Sequence, residues 1–539
     1  MPTKPAGGFP EKLVTFSYFP LAILMVLIVA VWKHTLRDYF LGDDFAYSSL
    51  YSSFPIWRWP TLFVTEWSQG IWGYRLIELR PFAALSYILD FQLWGANPLG
   101  YHITNLGIHI LNTLLVVAIA RHWTQGGLAA LLAGVIFGLH PVHAEAVTWI
   151  TGRVDVIATF FYLFGLWSFA RFRTTGRPSF GLLVVVSYFA GTFSKEFCLT
   201  LPLMLGAFDL CCFHKETRWS WQALWPYAGC AAVAVIYAAC RVYALGDSSG
   251  ASASLFAPGW MDALAQRHVQ YLAWLAEVPK SILLQAMPYA GTVISAVLSV
   301  VVVVSSLGWY LAKRFGGLRQ VRPLLFFFVA WYLVATCPLI VTYISKRHLY
   351  LASAGACIGV ALLCDSFLKD RRMLGAIVIV ACVSHFFWMH EALRFWHEAA
   401  QRSWKAHVAL GEALAKPSST PSSLLLVEIP EGHRGAWVWS WAYPYSAQPP
   451  FWPKPIAGHD RVLTRPALYT QAQIWSKLPL VKELRQQTGP VRLLVMNAAG
   501  ETTLSSIPAE KVAEASVVFS DTNLTPDKQW LNFISSLQP

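Results

Sequence analysis

The stretch HITNLGIHILNTLLVVAIA, residues 102 to 120, has the length and hydrophobicity of a membrane span but carries regularly spaced polar side chains. About 20 mainly apolar residues in a helix cross the hydrocarbon core of a bilayer. His102, Asn105, His109 and Asn112 follow one another at intervals of three, four and three residues, which places them on one helical face. Such groups are costly in lipid, so we predict that this face points into a bundle of helices.

Similar apolar runs recur over the first three quarters of the chain, which has 539 residues, 56% of them hydrophobic and only 13% charged. Ordinary soluble domains are about one quarter charged, so the composition indicates a polytopic membrane protein. We predict eleven spans, near residues 13–32, 102–120, 128–142, 154–170, 180–194, 199–213, 222–245, 290–312, 323–344, 349–368 and 373–391.

The net charge of +12 lies mainly in short blocks between the apolar runs, which is typical of membrane topology and not of nucleic-acid binding. If the N-terminus is cytoplasmic, most loop lysines and arginines fall inside, as the positive-inside rule requires. Two long segments, 33–101 and 246–289, then lie outside, and so does the tail. We therefore predict a transmembrane catalytic domain over residues 1–391 and an extracytoplasmic domain over residues 392–539.

The tail, residues 392–539, is less hydrophobic than the rest of the chain, and its predicted secondary-structure elements are shorter than the spans. Strand-like runs occur at 424–429, 491–496 and 516–519, with a helical pattern at 471–487, and a Ser/Pro-rich segment at 417–423 precedes them. These features predict a small α/β domain joined by a linker.

Under this topology the first loop and the outer turns collect carboxylate, imidazole and cationic side chains on one side of the membrane. These residues are Asp43 and Asp44, Arg80, His140, His143 and Glu145, Arg153 and Asp155, Lys195 and Glu196, and Arg347, His348 and Tyr350. Ionisable groups concentrated in this way favour a functional site.

The motifs carrying these residues resemble, in order, those of the GT-C membrane glycosyltransferases over roughly residues 40–355. They include Asp43-Asp44, Arg80-Pro81, HPVHAEAV at 140–147, GRVD at 152–155, Ser194-Lys195-Glu196 and RHLY at 347–350. The resemblance is strongest to bacterial relatives of the transmembrane O-mannosyltransferases that carry tetratricopeptide repeats. The repeats are absent from this sequence, which has the α/β tail instead, and His348 follows Arg347 where relatives often have Tyr.

The resemblance implies an all-α polytopic GT-C fold that transfers a sugar from a polyprenyl-phosphate carrier to a hydroxyl acceptor, with a first-loop carboxylate as base. The enzyme would lie in the bacterial inner membrane, in contact with lipid, and act at the periplasmic face. The acceptor stays open between a secreted protein, such as a pilin, and a glycan. A sugar-lipid flippase or another transporter is the alternative function, although transporters usually place ionisable groups near the bilayer midplane.

The residues fit this chemistry independently. A carboxylate can accept the acceptor's hydroxyl proton, and of the two we favour Asp43 over Asp44 as the base. The leaving phosphate needs cations and hydrogen-bond donors, for which the candidates are Arg80, His102, His140, His143, Arg153, Lys195 and Arg347. One base without a second nucleophile predicts inversion at the anomeric carbon.

Several alternatives stay open at this stage. Asp43 and Asp44 could hold a divalent cation, Mg²⁺ or Mn²⁺, or could only cap a helix. His140, His143 and Glu145 could bind zinc, although their spacing lacks a firm metal pattern. Arg153 could pair only with Asp155, and Lys195 only with Glu196.

Overall fold

Helices dominate the computed structural model of the chain, which describes residues 18–72, 76–124, 127–212, 221–246, 260–276, 318–338, 343–368, 370–415, 424–439, 443–452, 461–464, 482, 484–489, 491–521 and 523–538. The predicted span 290–312 and the predicted linker 417–423 lie outside these residues, as does most of the helical pattern at 471–487.

The helices of the described residues are, in chain order, α1 (Tyr18–Trp32), α2 (Asp43–Ser52), α3 (Pro81–Trp94), α4 (Pro98–Trp123), α5 (Gly127–Gly138), α6 (Ala144–Thr148), α7 (Arg153–Thr175), α8 (Pro178–Thr192), α9 (Leu201–Cys212), α10 (Trp221–Leu245), α11 (Trp260–Leu275), α12 (Leu318–Thr336), α13 (Tyr350–Phe367), α14 (Arg371–Ala415), α15 (Tyr443–Ser446), α16 (Ala509–Ala515) and α17 (Pro526–Leu537). Short 3-10 turns precede several of them, at Ile56–Val64, Pro141–His143, Ile150–Gly152, Glu196–Thr200 and Lys346–Leu349.

Helix α4 is central to the bundle. It has 26 residues, so it is about 39 Å long and exceeds the hydrocarbon thickness of a bilayer. The four regularly spaced polar residues, His102, Asn105, His109 and Asn112, are all buried. Asn112 donates to the carbonyl of Val156 on α7 at 2.9 Å, and His109 hydrogen-bonds the Tyr350 hydroxyl of α13 at 2.6 Å. The prediction that this face points into a bundle is confirmed.

The neighbouring helices pack closely around α4. It contacts α5 and α7, while α7 packs against α8, and α5 contacts α13 and α14. Gly138 allows α1 to approach α5, because a Cβ there would lie 2.7 Å from Cδ1 of Ile28. At the same point Trp32 donates its indole N–H to the Gly138 carbonyl at 3.2 Å. This contact satisfies a polar group that lipid could not satisfy.

Five helical segments of the described chain are long and apolar enough to cross a membrane, and a bent pair makes a sixth if it counts as one span. They are 98–123, 150–175, 223–245, 346–367 and 371–415, with the pair 127–138 and 141–148. The spans predicted near 13–32, 180–194 and 323–344 coincide with shorter apolar helices, and that near 199–213 coincides with the 12-residue α9. The apolar helices are those of a membrane protein, but the total of eleven spans is not confirmed.

The tail contains a four-stranded sheet with the order β4-β1-β5-β6. Strand β1 is parallel to β4 and β5, and β6 is antiparallel to β5. The strands of the tail are β1 (Leu424–Glu428), β2 (Gly432–His433), β3 (Ala436–Trp437), β4 (Arg461–Thr464), β5 (Val491–Met496) and β6 (Thr502–Ile507), where β2 and β3 form a separate hairpin. Two predicted strands are thus confirmed, but the strand predicted at 516–519 is wrong, because Ser516–Ser520 is a 3-10 helix.

Helix α14 runs for 45 residues and continues through residue 391, where we predicted the membrane part to end. Its extension contacts the first loop, residues 33–101, where Ser403 donates to the Phe40 carbonyl at 2.6 Å. The tail reaches the same loop, where the Gly42 amide donates to the carbonyl of Val438 at 3.0 Å. The residues that lead into Asp43 are therefore held by two later parts of the chain.

Candidate active site

Asp43 and Asp44 lie in the first turn of α2. Gly42 precedes them with a φ of 48°, a left-handed conformation that residues with a Cβ rarely adopt. Successive residues of a helix are rotated by about 100°, so the two carboxylates leave the helix in different directions. The structure therefore gives the two residues different surroundings.

Asp44 is buried and fully engaged by the protein. One carboxylate oxygen accepts hydrogen bonds from the amide and the hydroxyl of Thr151, each at 2.7 Å, and the other accepts from the Leu41 amide at 3.0 Å. Burial raises the pKa of Asp44, and these hydrogen bonds oppose the rise. Asp44 thereby ties the start of α2 to the turn before α7.

Asp43 is only half-buried, and within the described part of the chain its carboxylate makes no hydrogen bond or ion pair. Burial raises its pKa to about 6, with Arg347 acting to lower it and Glu78 to raise it. A carboxylate without a protein partner, with a pKa nearer neutrality than usual, is suited to accept a proton. This agrees with our preference for Asp43 over Asp44.

Asp155 joins two of the predicted phosphate-binding cations. One carboxylate oxygen lies 2.5 Å from Nζ of Lys195, and the other lies 3.0 Å from a guanidinium nitrogen of Arg347. Arg347 also lies over the Trp149 ring and hydrogen-bonds Tyr343. Its Nε lies 3.7 Å from Glu145, a longer ion pair. Residues from three separate turns are thus brought together.

A second group of ion pairs centres on Arg80. Its guanidinium lies 2.8 Å from Glu78 and 3.3 Å from Glu196. The Arg80 guanidinium holds the pKa of Glu196 below its usual range, although burial alone would raise it. Burial also lowers the pKa of Lys195 to about 8, against the opposing charge of Asp155. The interpretation that Lys195 and Glu196 only pair with each other is wrong, since each has a different partner.

Arg153 lies deeper than these cations and is completely buried. It forms an ion pair with Asp90 at 2.6 Å, donates to the carbonyls of Ile150 and Tyr101 at 3.2 Å each, and lies over the Tyr87 ring. It does not pair with Asp155, so that interpretation is also wrong. These contacts join α3, α4 and α7 and give Arg153 a structural role in this arrangement.

The predicted histidines are each in contact with backbone or hydroxyl groups. His102 contacts the Asp38 carbonyl at 3.1 Å, His140 the Leu275 carbonyl at 3.2 Å, and His143 the Ser353 hydroxyl at 2.7 Å. Tyr350 hydrogen-bonds His109 and Asn112 inside the bundle.

Within the described residues, no three His, Cys, Asp or Glu side chains are grouped to hold a metal ion.

Three residues in contact with Arg80 or Arg347 were not selected from the sequence. They are Glu78, Trp149 and Tyr343. Glu78 could have been identified from its position two residues before Arg80, because a carboxylate near a predicted phosphate-binding arginine can form an ion pair with it. Trp149 and Tyr343 carry no comparable signal, since aromatic residues are frequent throughout the chain. Their contacts with Arg347 arise only from the fold.

No protein-family model matches the sequence. The chain is similar to protein O-mannosyl-transferase Tmtc1 of Drosophila melanogaster, with 29% identity over 214 residues, covering 37% of this chain and 24% of the relative. It is also similar to protein O-mannosyl-transferase Tmtc2 of the same organism, with 33% identity over 160 residues, covering 28% and 16%. The matched segment thus spans about a quarter or less of each relative.

Among solved structures, the chain shares its fold with ArnT from Cupriavidus metallidurans, which was crystallised bound to undecaprenyl phosphate. The TM-score is 0.50 at 13% sequence identity, covering 89% of this chain and 94% of ArnT. The resemblance to the GT-C glycosyltransferases that the motifs indicated is confirmed, in sequence by the O-mannosyl-transferases and in fold by ArnT.

Proposed function

We propose that this chain transfers a monosaccharide from a polyprenyl-phosphate donor to a hydroxyl acceptor, with Asp43 as the general base. The observation that carries the proposal is the contrast between two adjacent carboxylates. Asp44 is occupied by three protein hydrogen bonds, whereas Asp43 has none and is half-buried near Arg347.

In the proposed step, Asp43 accepts the proton of the acceptor hydroxyl while that oxygen attacks the anomeric carbon. The bond from this carbon to the phosphate oxygen breaks, and its electron pair leaves with the polyprenyl phosphate. Because attack and departure occur on opposite faces of the sugar, the configuration of the anomeric carbon inverts.

Arg80, Lys195 and Arg347 are the proposed binding groups for the donor phosphate. Their side chains keep 11%, 10% and 10% of their surface exposed, whereas that of Arg153 keeps none. Charge that develops on the leaving phosphate is stabilised by cations already in position. The undecaprenyl phosphate bound to ArnT supports a lipid phosphate as donor, because the two proteins share a fold.

We place the reaction at the periplasmic face of the bacterial inner membrane, with the N-terminus in the cytoplasm and the tail outside. The first loop and the turns before α7, α9 and α13 come together at the ion pairs of Asp155 and Arg80. The cations predicted to be cytoplasmic, such as Arg121 and Arg173, lie at the other ends of α4 and α7. This separation supports the orientation.

The function can be tested by mass spectrometry of cell-surface proteins and glycans from cells with and without the gene. We expect one class of molecule to lose the mass of a monosaccharide when the gene is deleted, and complementation to restore it. Identical masses with and without the gene would contradict the proposal. The site of the lost mass also distinguishes a protein acceptor from a glycan.

The pH dependence of transfer should report the ionisation of Asp43. Its pKa is raised to about 6, and only the ionised carboxylate can accept a proton, so the rate should rise with pH through about 6, level, and then fall towards pH 8 as Lys195, with a pKa of about 8, loses its charge. The measurement is the initial rate of transfer by purified enzyme between pH 4.5 and 8. A rate that falls as pH rises through 6 would show that the essential group acts as an acid.

Binding of a divalent cation by Asp43 or Asp44 is an alternative that the sequence leaves open, and it has a separate test. If Mg²⁺ or Mn²⁺ supports transfer there, EDTA should stop the reaction and either ion should restore it. Undiminished transfer in EDTA would leave Asp43 as base and Asp44 as the residue that fixes the helix start.

A further inference from the structure

An open groove of about 1190 Å³ lies beside the start of α2, and the mechanism above does not use it. Its walls are the segment Arg37–Tyr39, the last part of α14 from His397 to Ala415, and the pair Phe451 and Trp452. It therefore lies where the first outer loop, the extension of α14 and the tail meet.

Aromatic rings form much of its lining. Tyr39 and Trp404 meet edge to face with centroids 4.8 Å apart, and the His407 and Trp452 rings lie 4.8 Å apart at an angle of 31°. Trp404 leaves 51% of its surface exposed although it is a large aromatic residue. A broad exposed ring in a concave site offers an apolar platform to a ligand.

The groove also contains charged groups that are open to solvent. Arg37, Lys405 and Glu412 lie in its lining with the aromatic rings, and all three residues are exposed. The lining residues Asp38, His407 and Trp452 each carry a polar atom that is shielded from solvent, so those atoms do not face a ligand in the groove.

The combination distinguishes two kinds of ligand. A hydrocarbon chain would cover the aromatic rings but would remove water from the charged lining groups without replacing its hydrogen bonds, which costs free energy. A pyranose ring has an apolar face of C–H groups for an aromatic ring and hydroxyls at its rim that donate and accept hydrogen bonds. Arg37 and Lys405 can donate to such hydroxyls, and Glu412 can accept from them.

We propose that this groove binds a pyranose unit of a glycan, with Trp404 as the stacking platform and Arg37, Lys405 and Glu412 as hydrogen-bonding partners. Phe45, two residues after Asp43, packs against Phe451 with centroids 4.9 Å apart and against His407 at 6.1 Å. Residues two apart on a helix point to opposite sides, so the groove lies on the other face of α2 from the Asp43 carboxylate. The groove is therefore a binding site separate from the catalytic residues.

The chain offers a selective disruption and a matched control. Trp404→Ala removes an exposed ring, so folding should be retained. Trp388→Ala is the control, because Trp388 is 50% exposed on the same helix but outside the groove. Gly411→Val gives a second disruption, because a Cβ at Gly411 would lie 2.2 Å from the Trp452 ring and force it to move.

The test is binding of the purified full-length protein in nanodiscs to a glycan microarray, followed by titration of the best-bound glycan. We expect binding above empty nanodiscs, about tenfold weaker for Trp404→Ala and unchanged for Trp388→Ala. Gly411→Val should also weaken binding, with its thermal midpoint measured in parallel. Absence of glycan binding, or equal binding by native protein and Trp404→Ala, would overturn the proposal. Trp404-dependent binding of undecaprenyl phosphate in place of glycans would overturn it as well.

The two proposals fail separately. Asp43→Asn should keep glycan binding while losing transfer, since Asp43 does not line the groove. Glycan binding without transfer by the native protein would contradict the proposed function and leave the groove assignment standing. Transfer by the native protein without Trp404-dependent glycan binding would contradict the groove assignment and leave the proposed function standing.

Discussion

Replacing Asp43 by Asn should lower the rate of sugar transfer per folded molecule by about 10²- to 10⁴-fold, the usual contribution of a general base. The amide keeps the size of the carboxylate but cannot accept the hydroxyl proton. Because the Asp43 carboxylate has no hydrogen bond or ion pair within the described residues, the change should leave the thermal midpoint close to that of the native protein. Both quantities can be measured on purified protein with a synthetic polyprenyl-phosphate sugar.

Two further variants give this experiment its contrast. Asp44→Asn removes an acceptor of Thr151 and Leu41 donors, so it should lower stability by about 1–3 kcal/mol. Asp370→Asn changes an exposed carboxylate at the start of α14 and should leave both rate and stability unchanged. Native rates for Asp43→Asn would remove Asp43 from the mechanism.

The polar face of α4 could be predicted because its information is local. A spacing of three and four residues places side chains on one helical face whatever surrounds the helix. The order of the motifs between the spans could also be read directly from the sequence. The structure brings three of their residues, Asp155, Lys195 and Arg347, together. The different surroundings of Asp43 and Asp44 could not be predicted, because they depend on hydrogen bonds from Thr151, which lies 107 residues away from Asp44.

The partners of the ion pairs could not be predicted as well from the sequence, for a geometric reason. Arg153 and Asp155 are two residues apart, and Lys195 and Glu196 are adjacent in the chain. Side chains at these separations do not face one another on a helix. Each therefore finds its partner on another element, as Arg153 does with Asp90, 63 residues earlier. Sequence proximity was a poor guide, because only tertiary packing sets these distances.

The errors in the tail have similar causes. The run at 516–519 has residues typical of strands, but it follows α16 directly and packs Phe519 against Phe533 of α17 at 5.1 Å. Tertiary contacts therefore overrode local preference. Strand β6 (Thr502–Ile507) was missed because it lies at the sheet edge with most of its side chains exposed, so it lacks the hydrophobic alternation of a strand.

Arg153→Met should be the most destabilising single change in this region, because it leaves the Asp90 carboxylate buried without its cation. Removing one partner of a buried ion pair typically costs about 3–5 kcal/mol. We expect a large fall in the thermal midpoint and poor recovery from membranes, measured by fluorescence-detected size exclusion after heating. Arg394→Met removes an exposed arginine of a surface pair and should have little effect.

The double variant Arg153→Met with Asp90→Asn separates the lost charge balance from the lost packing. The Asn side chain is neutral and can still accept a hydrogen bond from Thr104, which contacts Asp90 at 2.6 Å. Because no buried charge then lacks a partner, the double variant should recover much of the stability that Arg153→Met loses. Transfer activity should return with the fold, since this pair joins α3 to α7 and the proposed donor-binding cations are Arg80, Lys195 and Arg347. A double variant that regains its thermal midpoint but transfers no sugar would instead show that Arg153 contributes to donor binding.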